Sequence, residues 1–362
     1  VTATARRRRG AVVLVAASVI LALVLAEILL RTVAPRTLLQ PEVPDYAWLA
    51  YDPINGMVNE PGFHERDPRI TRSHLAGELR INALGFRGGE IATAKPDGVT
   101  RVVCLGDSST FGLWLASGVA WQDDADFRID NDYPRLVEER LRADGRRIEI
   151  VNAGVVGYNS SHGIRQLLTR ILPLAPDVVT VRFGFNDHAF SDPATYVRDP
   201  ENAVARTLFY LLAPLETFRL GVARVRRNVG APAVPPELFE ANIRRLAALA
   251  RDHGFHLLLL DYPLRPLEAG IRVGEVMPFL GGAPSLAELH ERHGRYQTIL
   301  HATAAEERVP VVLTADALRD PAGGAFSLAD LVHPNPHGAA LVAGKVAETI
   351  TARGWLDAGS LR

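Results

Sequence analysis

Cysteine is almost missing from this chain. Cys104 is the one cysteine in 362 residues, so no intramolecular disulfide is available and cysteine usage says nothing about redox compartment. An excess of charge of one sign is missing too. With 40 Lys and Arg against 41 Asp and Glu, the formal net charge is -1, and the electrostatic footprint of a nucleic-acid partner is excluded. Neither a P-loop nor G-x-G-x-x-G occurs, so no nucleotide phosphate cradle is offered. A G-x-S-x-G elbow is also absent, because Thr110 stands where that pattern needs glycine. No second His or Cys cluster has metal-ligand spacing, and no repeat or low-complexity tract is present, so neither a metal nor a cofactor is implied.

What is present begins with Arg6, Arg7, Arg8 and Arg9, followed by an uncharged run from Gly10 to Ala26 and then Glu27, Ile28, Leu29, Leu30 and Arg31. A helix from Gly10 to Leu30 is about 31 Å long, close to the thickness of a hydrocarbon core. The expectation is a transmembrane helix over 10–31 with Glu27 at the far interface, where an ionisable group costs less than at the centre. By the positive-inside rule the basic tail 1–9 is cytoplasmic, and the rest of the chain is extracytoplasmic, periplasmic or extracellular. A cleaved signal peptide is the nearest rival, but the run is long for an h-region and no clear small-x-small site follows; whether the helix is ever cleaved stays open.

From 32 to 98 the chain is rich in turn formers, with Pro35, Pro41, Pro44, Pro53 and Pro61 reading as a juxtamembrane linker. The stretch L-R-I-N-A-L-G-F-R-G-G-E, Leu79 to Glu90, reads as a small β-rich preface. It is either a strand packed on the main sheet or a wall of a site contributing Arg87, with the first reading favoured.

Beyond Gly98, apolar runs alternate with amphipathic stretches, which predicts βαβ units and a mostly parallel sheet. Five strands are expected, over Val102–Leu105, Ile148–Val151, Val178–Phe183, His256–Leu260 and Val309–Leu313. Helices are expected over Tyr133–Ala143 and Leu238–Arg251, the latter started by Pro235 and Pro236. The connection from about 187 to 234 exceeds ordinary loop length. Within it, Arg206 to Val225 is apolar and basic and reads as a helical cap over a site or against a membrane surface. A second insertion, Leu264 to Leu289, reads as rim.

Polar groups follow the strands. G-D-S-S-T-F-G follows the first, V-N-A-G-V-V-G-Y-N-S spans the end of the second, F-G-F-N-D-H the end of the third, and A-D-L-V-H-P-N-P-H-G lies near the C-terminus. In a parallel sheet these carboxyl ends share one edge, where ligands bind. A serine, a glycine turn, an asparagine and an Asp/His pair converging there suit acyl transfer. A serine hydroxyl needs a base, a carboxylate fixes the imidazole tautomer, and N–H donors stabilise an oxyanion. Asp330 and His333 have the spacing of a surface pair on a helix or of two metal ligands, but Pro334 pushes His333 out of the α region and into a turn before a helix near His337.

These four blocks, in this order, resemble the SGNH hydrolases, also called the GDSL-like family. The resemblance runs from about Arg101 to Gly354, and I-N-A-L-G-F-R-G together with the N-terminal span is similar to a membrane-anchored bacterial subset. It implies a flavodoxin-like three-layer α/β/α sandwich with a five-stranded parallel sheet over 99–356. It also implies that Ser108 is the nucleophile, His333 and Asp330 its base and orienting acid, and Gly157, Asn186 and the Ser108 N–H the oxyanion donors. Gly154 is a lesser alternative to Gly157. Ser109 is expected to cap the following helix, Asp107 to support the turn through backbone hydrogen bonds, His188 to lie on the rim, and His162 and His337 to be surface or helix-start residues. Esterase, lipase or acyltransferase chemistry on a small-molecule or glycan ester follows, with hydrolysis of short-chain or carbohydrate O-acyl esters foremost. The alternative is O-acyl transfer to an envelope polysaccharide.

Overall fold

The computed structural model describes residues 3–33, 48–52, 55–64, 79–115, 127–128, 132–143, 145–189, 208, 211–212, 215, 217, 233–265, 285–318, 327–328 and 330–356. The chain divides into two units, one of Val1–Pro44 with Asp192–Asn228 and one of Asp45–Ser191 with Val229–Arg362.

In the first unit the apolar run forms helix α1, Ala3–Val33. Its stretch Ala11–Thr32 is long and apolar enough to cross a membrane and is unburied within the protein. At the helical rise its 22 residues extend about 33 Å.

The second unit starts with a hairpin, β1 (Leu49–Asp52) and β2 (Gly56–Asn59), paired antiparallel. Asp52 closes its turn by accepting from the Asn55 backbone N–H at 2.6 Å. The main sheet comprises β3 (Thr100–Gly106), β4 (Ile148–Gly154), β5 (Val178–Arg182), β6 (His256–Leu260) and β7 (Val311–Val312). All pairs are parallel and the order is β4-β3-β5-β6-β7. This is the 2-1-3-4-5 order of flavodoxin-like sheets, whose ligand crevice opens between the first and third strands, here β3 and β5. The five strands lie where the apolar runs place them. The last is shorter than the run from Val309 to Leu313, because Val309 still bonds back to Ala304 at the end of the preceding helix.

Strand alternation builds the two helical layers. Val102, Cys104, Val178, Leu258 and Leu260 pack with Val137 and Leu141 of α2 (Tyr133–Arg142) and with Val342, Val346 and Ile350 of α3 (Pro336–Ala352). Residues between them face the other side by the two-residue period. There the helix α4 (Pro236–His253) packs on β6, on α5 (Ser160–Gln166) and on α6 (Leu286–Glu306). Sequence explains the boundaries. Asp132 and Asn335 cap α2 and α3, each with proline in the first turn, and Gly254 ends α4 at φ +67°. The proposed second insertion ends inside α6, since Ser285 caps that helix through the Glu288 N–H at 3.1 Å. Residues 266–284 lie outside those described, as do most of 190–232.

The preface is packed on the sheet. Arg87 bridges antiparallel to Asn152 of edge strand β4, its guanidinium lies 5.1 Å over the Phe111 ring, and it pairs with Asp132 at 3.3 Å. Trp48, Leu79, Ile81, Phe111, Leu113 and Val156 form one buried cluster. The reading of Arg87 as a packed strand residue is the one the contacts favour.

Candidate active site

Gly106 sits in register with Gly154 on one side and Arg182 on the other, so three loops leave the sheet at one level. Ser108, Gly157 and Asn186 stand two, three and four residues beyond that level on adjacent loops. A side chain at Gly106 would put Cβ 2.1 Å from Thr110 Oγ1, and one at Gly154 would put it 2.2 Å from the Phe111 backbone nitrogen. Both strands therefore need glycine where the short turn of helix over Ser108–Phe111 lies across their ends.

That turn is capped by Asp107, whose Oδ1 accepts from the Ser109 N–H at 3.0 Å. The expected cap was Ser109. It lies inside the turn instead, because the residue before the first helical one is the aspartate, and its Oγ is 2.6 Å from the Tyr262 hydroxyl. Tyr262 also donates to Asp107 at 3.2 Å, so Ser109 must donate to Tyr262. Burial pushes the Asp107 carboxyl up to about 6, against the pull of the Arg182 guanidinium, which lies 4.8 Å over the Tyr262 ring. Support of the turn through a backbone bond, as expected for Asp107, is what the geometry contains.

Ser108 Oγ is 2.8 Å from His333 Nε2, and His333 Nδ1 is 2.7 Å from Asp330 Oδ2. All three residues are buried. Asp330 Oδ1 accepts from the backbone N–H groups of Val332 and His333, each at 2.8 Å, so the D-x-x-H spacing closes on itself as a turn. Burial alone would raise the Asp330 carboxyl, but the charge of His333 and these hydrogen bonds outweigh it and hold the acid below its ordinary value. The turn leads into α3 at Pro336, with His337 exposed in its first turn.

Gly157 lies at φ +80° in an exposed turn, a left-handed backbone that glycine adopts without strain. Gly154, in contrast, already spends its N–H on Asn152 Oδ1 at 3.0 Å and its carbonyl on Asn59 Nδ2 at 3.0 Å. Asn186 donates one amide hydrogen to the Tyr158 carbonyl at 2.9 Å, which ties its loop to the Gly157 turn and leaves the second hydrogen. The hairpin reaches the same turn, since the Tyr158 hydroxyl donates to the Met57 carbonyl at 2.6 Å.

Around these residues lies a buried polar support that the sequence pattern does not disclose. Asp187 accepts from the Ser160 N–H at 3.0 Å and from the Ser160 hydroxyl, and Asn242 donates to Ser160 and Ser161 at 2.8 and 2.9 Å. Burial pushes Asp187 up to about 7 in spite of these donors. Its position in G-F-N-D was the only signal, and it does not disclose partners from other loops. His188, expected on the rim, is fully buried, with Nε2 2.8 Å from His293 Nδ1. His293 Nε2 faces the Tyr262 carbonyl at 2.5 Å, so it donates there and accepts from His188. Burial lowers His293 to about 4 and His188 well below its ordinary value, consistent with two neutral rings. His162 is a helix-start residue as expected, but buried, its ring completing a capping box with Asn159. Among the described residues no group of three or more His, Cys, Asp or Glu is arranged to hold a metal ion.

A serine, an imidazole and a carboxylate aligned at the crevice of a flavodoxin-like sheet put the molecule in the class of serine hydrolases. Residues 104–341 match the model of the GDSL-like Lipase/Acylhydrolase family. The chain belongs to that family and is a serine hydrolase acting on ester bonds. Among solved structures it is similar to the lipase/acylhydrolase from Enterococcus faecalis, with 19% identity, TM-score 0.44, and coverage of 70% of this chain and 96% of that one. It is also similar to Axe2, an acetylxylan esterase from Geobacillus stearothermophilus, with 17% identity, TM-score 0.44, and coverage of 73% and 96%. A G-D-S-L family lipolytic protein from Desulfitobacterium hafniense follows at 16% identity and TM-score 0.41, covering 69% and 98%. No curated protein matches the chain.

Proposed function

We propose that this protein is a membrane-anchored esterase that cleaves short-chain or carbohydrate O-acyl esters through an acyl-enzyme on Ser108. The observation that carries the reading is the 2.8 Å approach of Ser108 Oγ to His333 Nε2, with Asp330 on the far side of the ring at 2.7 Å. Ser108 Oγ adds to the ester carbonyl carbon as its proton passes to His333 Nε2, and Asp330 holds the imidazolium that forms. The negative oxygen is met by the N–H groups of Ser108 and Gly157 and the second amide hydrogen of Asn186. Collapse breaks the C–O bond to the alcohol, which leaves with the proton from His333. Water then adds to the acyl carbon and gives a proton to His333; collapse breaks the bond from the acyl carbon to Ser108 Oγ, which takes that proton back from His333 as the acid leaves.

In the same reading Ala11–Thr32 spans the membrane, with the arginines in the cytoplasm and the catalytic domain outside. Ser108→Ala in the full chain is expected to abolish hydrolysis of p-nitrophenyl acetate with the thermal unfolding transition unchanged. Retained turnover would refute the nucleophile. Running the wild-type reaction with and without a polyol separates the two outcomes of the acyl-enzyme: free acid in both supports hydrolysis, and preferential acylation of the polyol would move the reading to an O-acyltransferase of envelope glycan.

A further inference from the structure

Glu27, within the apolar stretch Ala11–Thr32, pairs with Arg31 at 2.8 Å. Its other oxygen accepts two hydrogen bonds from the insertion, from the Thr217 backbone N–H and from the Thr217 hydroxyl, each at 3.0 Å. A residue of the 192–228 segment is thus tied to the side of α1 before the apolar stretch ends. Glu27 is five residues short of Thr32, a depth of about 7.5 Å at the helical rise.

The residues next to Thr217 suit that depth. Leu208, Leu211 and Leu212 are helical, fall at i, i+3 and i+4, and are 53%, 69% and 38% exposed; Leu215 is 36% exposed. The sequence then turns basic, with Arg219, Arg224, Arg226 and Arg227. An apolar helical face followed by arginines is the composition of an interfacial segment, which buries its apolar side about 5–10 Å into the headgroup and acyl boundary. The hydrogen-bonded tie to α1 brings that segment to the same depth independently of its composition.

We infer that Leu208, Leu211, Leu212 and Leu215, tied to α1 by the hydrogen bonds between Thr217 and Glu27, form a second membrane element seated in the lipid of the leaflet at the Thr32 end of the span. The inference rests on the reading of Ala11–Thr32 as a span. Its occupant is anionic lipid: the exposed leucines call for acyl chain, and the four arginines in the sequence after Thr217 supply charge opposite to an anionic headgroup.

The full chain in nanodiscs containing anionic lipid tests it, with a polarity-sensitive fluorophore on Leu212→Cys, on Leu211→Cys as a second position, and on Leu25→Cys as a reference within the span. Cys104 is buried with its thiol pushed up to about 12, so it does not compete for the label. Retained p-nitrophenyl acetate hydrolysis shows each labelled protein folded. The expected result is quenching of the Leu211 and Leu212 labels by lipids spin-labelled near the headgroup and shielding from aqueous iodide. Iodide quenching at these positions while the Leu25 label stays in lipid would overturn the inference and leave the span intact. Shielding from both quenchers would also overturn it, because a protein surface then covers the leucines. Iodide quenching at Leu25 would remove the span itself, and the inference with it.

Discussion

Asp330→Asn tests the site most sharply, because the turn around Asp330 dictates which way an amide must point. The carboxylate has two oxygens and no hydrogen: Oδ1 receives the Val332 and His333 backbone N–H groups, and Oδ2 receives His333 Nδ1. An asparagine can serve the backbone pair only with its oxygen, which turns its NH2 toward His333 Nδ1. That nitrogen must then accept, so the ring proton moves to Nε2 and points at Ser108 Oγ, where a base is needed. The opposite amide orientation restores the base but sets NH2 against two buried N–H donors. At about 1–3 kcal/mol for each orphaned donor, the competent orientation is disfavoured by roughly 2–6 kcal/mol, a factor of about 30 to 10⁴. Loss of the charge that stabilises the imidazolium adds to this, so kcat/KM on p-nitrophenyl acetate should fall by about 10³–10⁴. Thermal unfolding should shift little, and ¹⁵N NMR should find the His333 proton on Nε2. A variant within tenfold of wild type, or one whose ring keeps its proton on Nδ1, would show that the Asp330 turn does not set the direction of the amide.

Three further outcomes follow from neighbouring residues. Asp187 keeps its proton to about pH 7 in the folded protein against an ordinary 3.8, so the folded state binds the extra proton between these values and stability falls as pH rises through that window. Asp187→Asn removes the dependence: in urea unfolding its stability relative to wild type should improve from pH 5 to pH 8 by about 3 kcal/mol, and an unchanged difference would contradict the burial argument. Gly154→Ala drives Cβ into the Phe111 backbone and should cost about 3 kcal/mol or more, measured by the same unfolding, and more than Gly157→Ala, where the nearest contact is the flexible Met57 Cε at 3.2 Å. Tyr262→Phe leaves Ser109 and Asp107 without their shared partner and should cost about 1–3 kcal/mol; a neutral effect would mean the hydroxyl is not part of the support.

What was legible in the sequence has a physical pattern. Each strand of the parallel sheet is a short apolar run stopped by glycine or a polar group, because both faces are covered and the chain must turn at the edge. The strand order is then the one in which the loops after the first and third strands leave adjacent strands, which is why Ser108 and Asn186, 78 residues apart, could be expected at one edge of the sheet. The D-x-x-H pair was legible because its geometry is local: Pro334 excludes a helix at His333, and the carboxylate closes the turn on backbone two and three residues on.

The support beneath the site is of a different kind. Ser109 was misread as a cap because its role depends on Tyr262, 153 residues away, and Asp107 takes the cap that local preference allows either residue. His188 was expected on the rim because a histidine beside a polar block is ordinarily solvated. It is buried because His293, from α6, supplies an acceptor for one ring nitrogen, and α6 itself was not among the expected helices. Asp187 and Asn242 likewise meet at Ser160 from three separate elements. Such groups are selected by what surrounds them in space, since a buried carboxylate or imidazole is tolerable only where donors and acceptors from other loops complete its valence. The alignment of Ser108, His333 and Asp330 could therefore be expected from spacing and topology, while the buried groups packed around it depend on partners from other loops. Their removal should accordingly appear first in stability and in its pH dependence, with turnover following only as the Gly157 and Asn186 loops lose register.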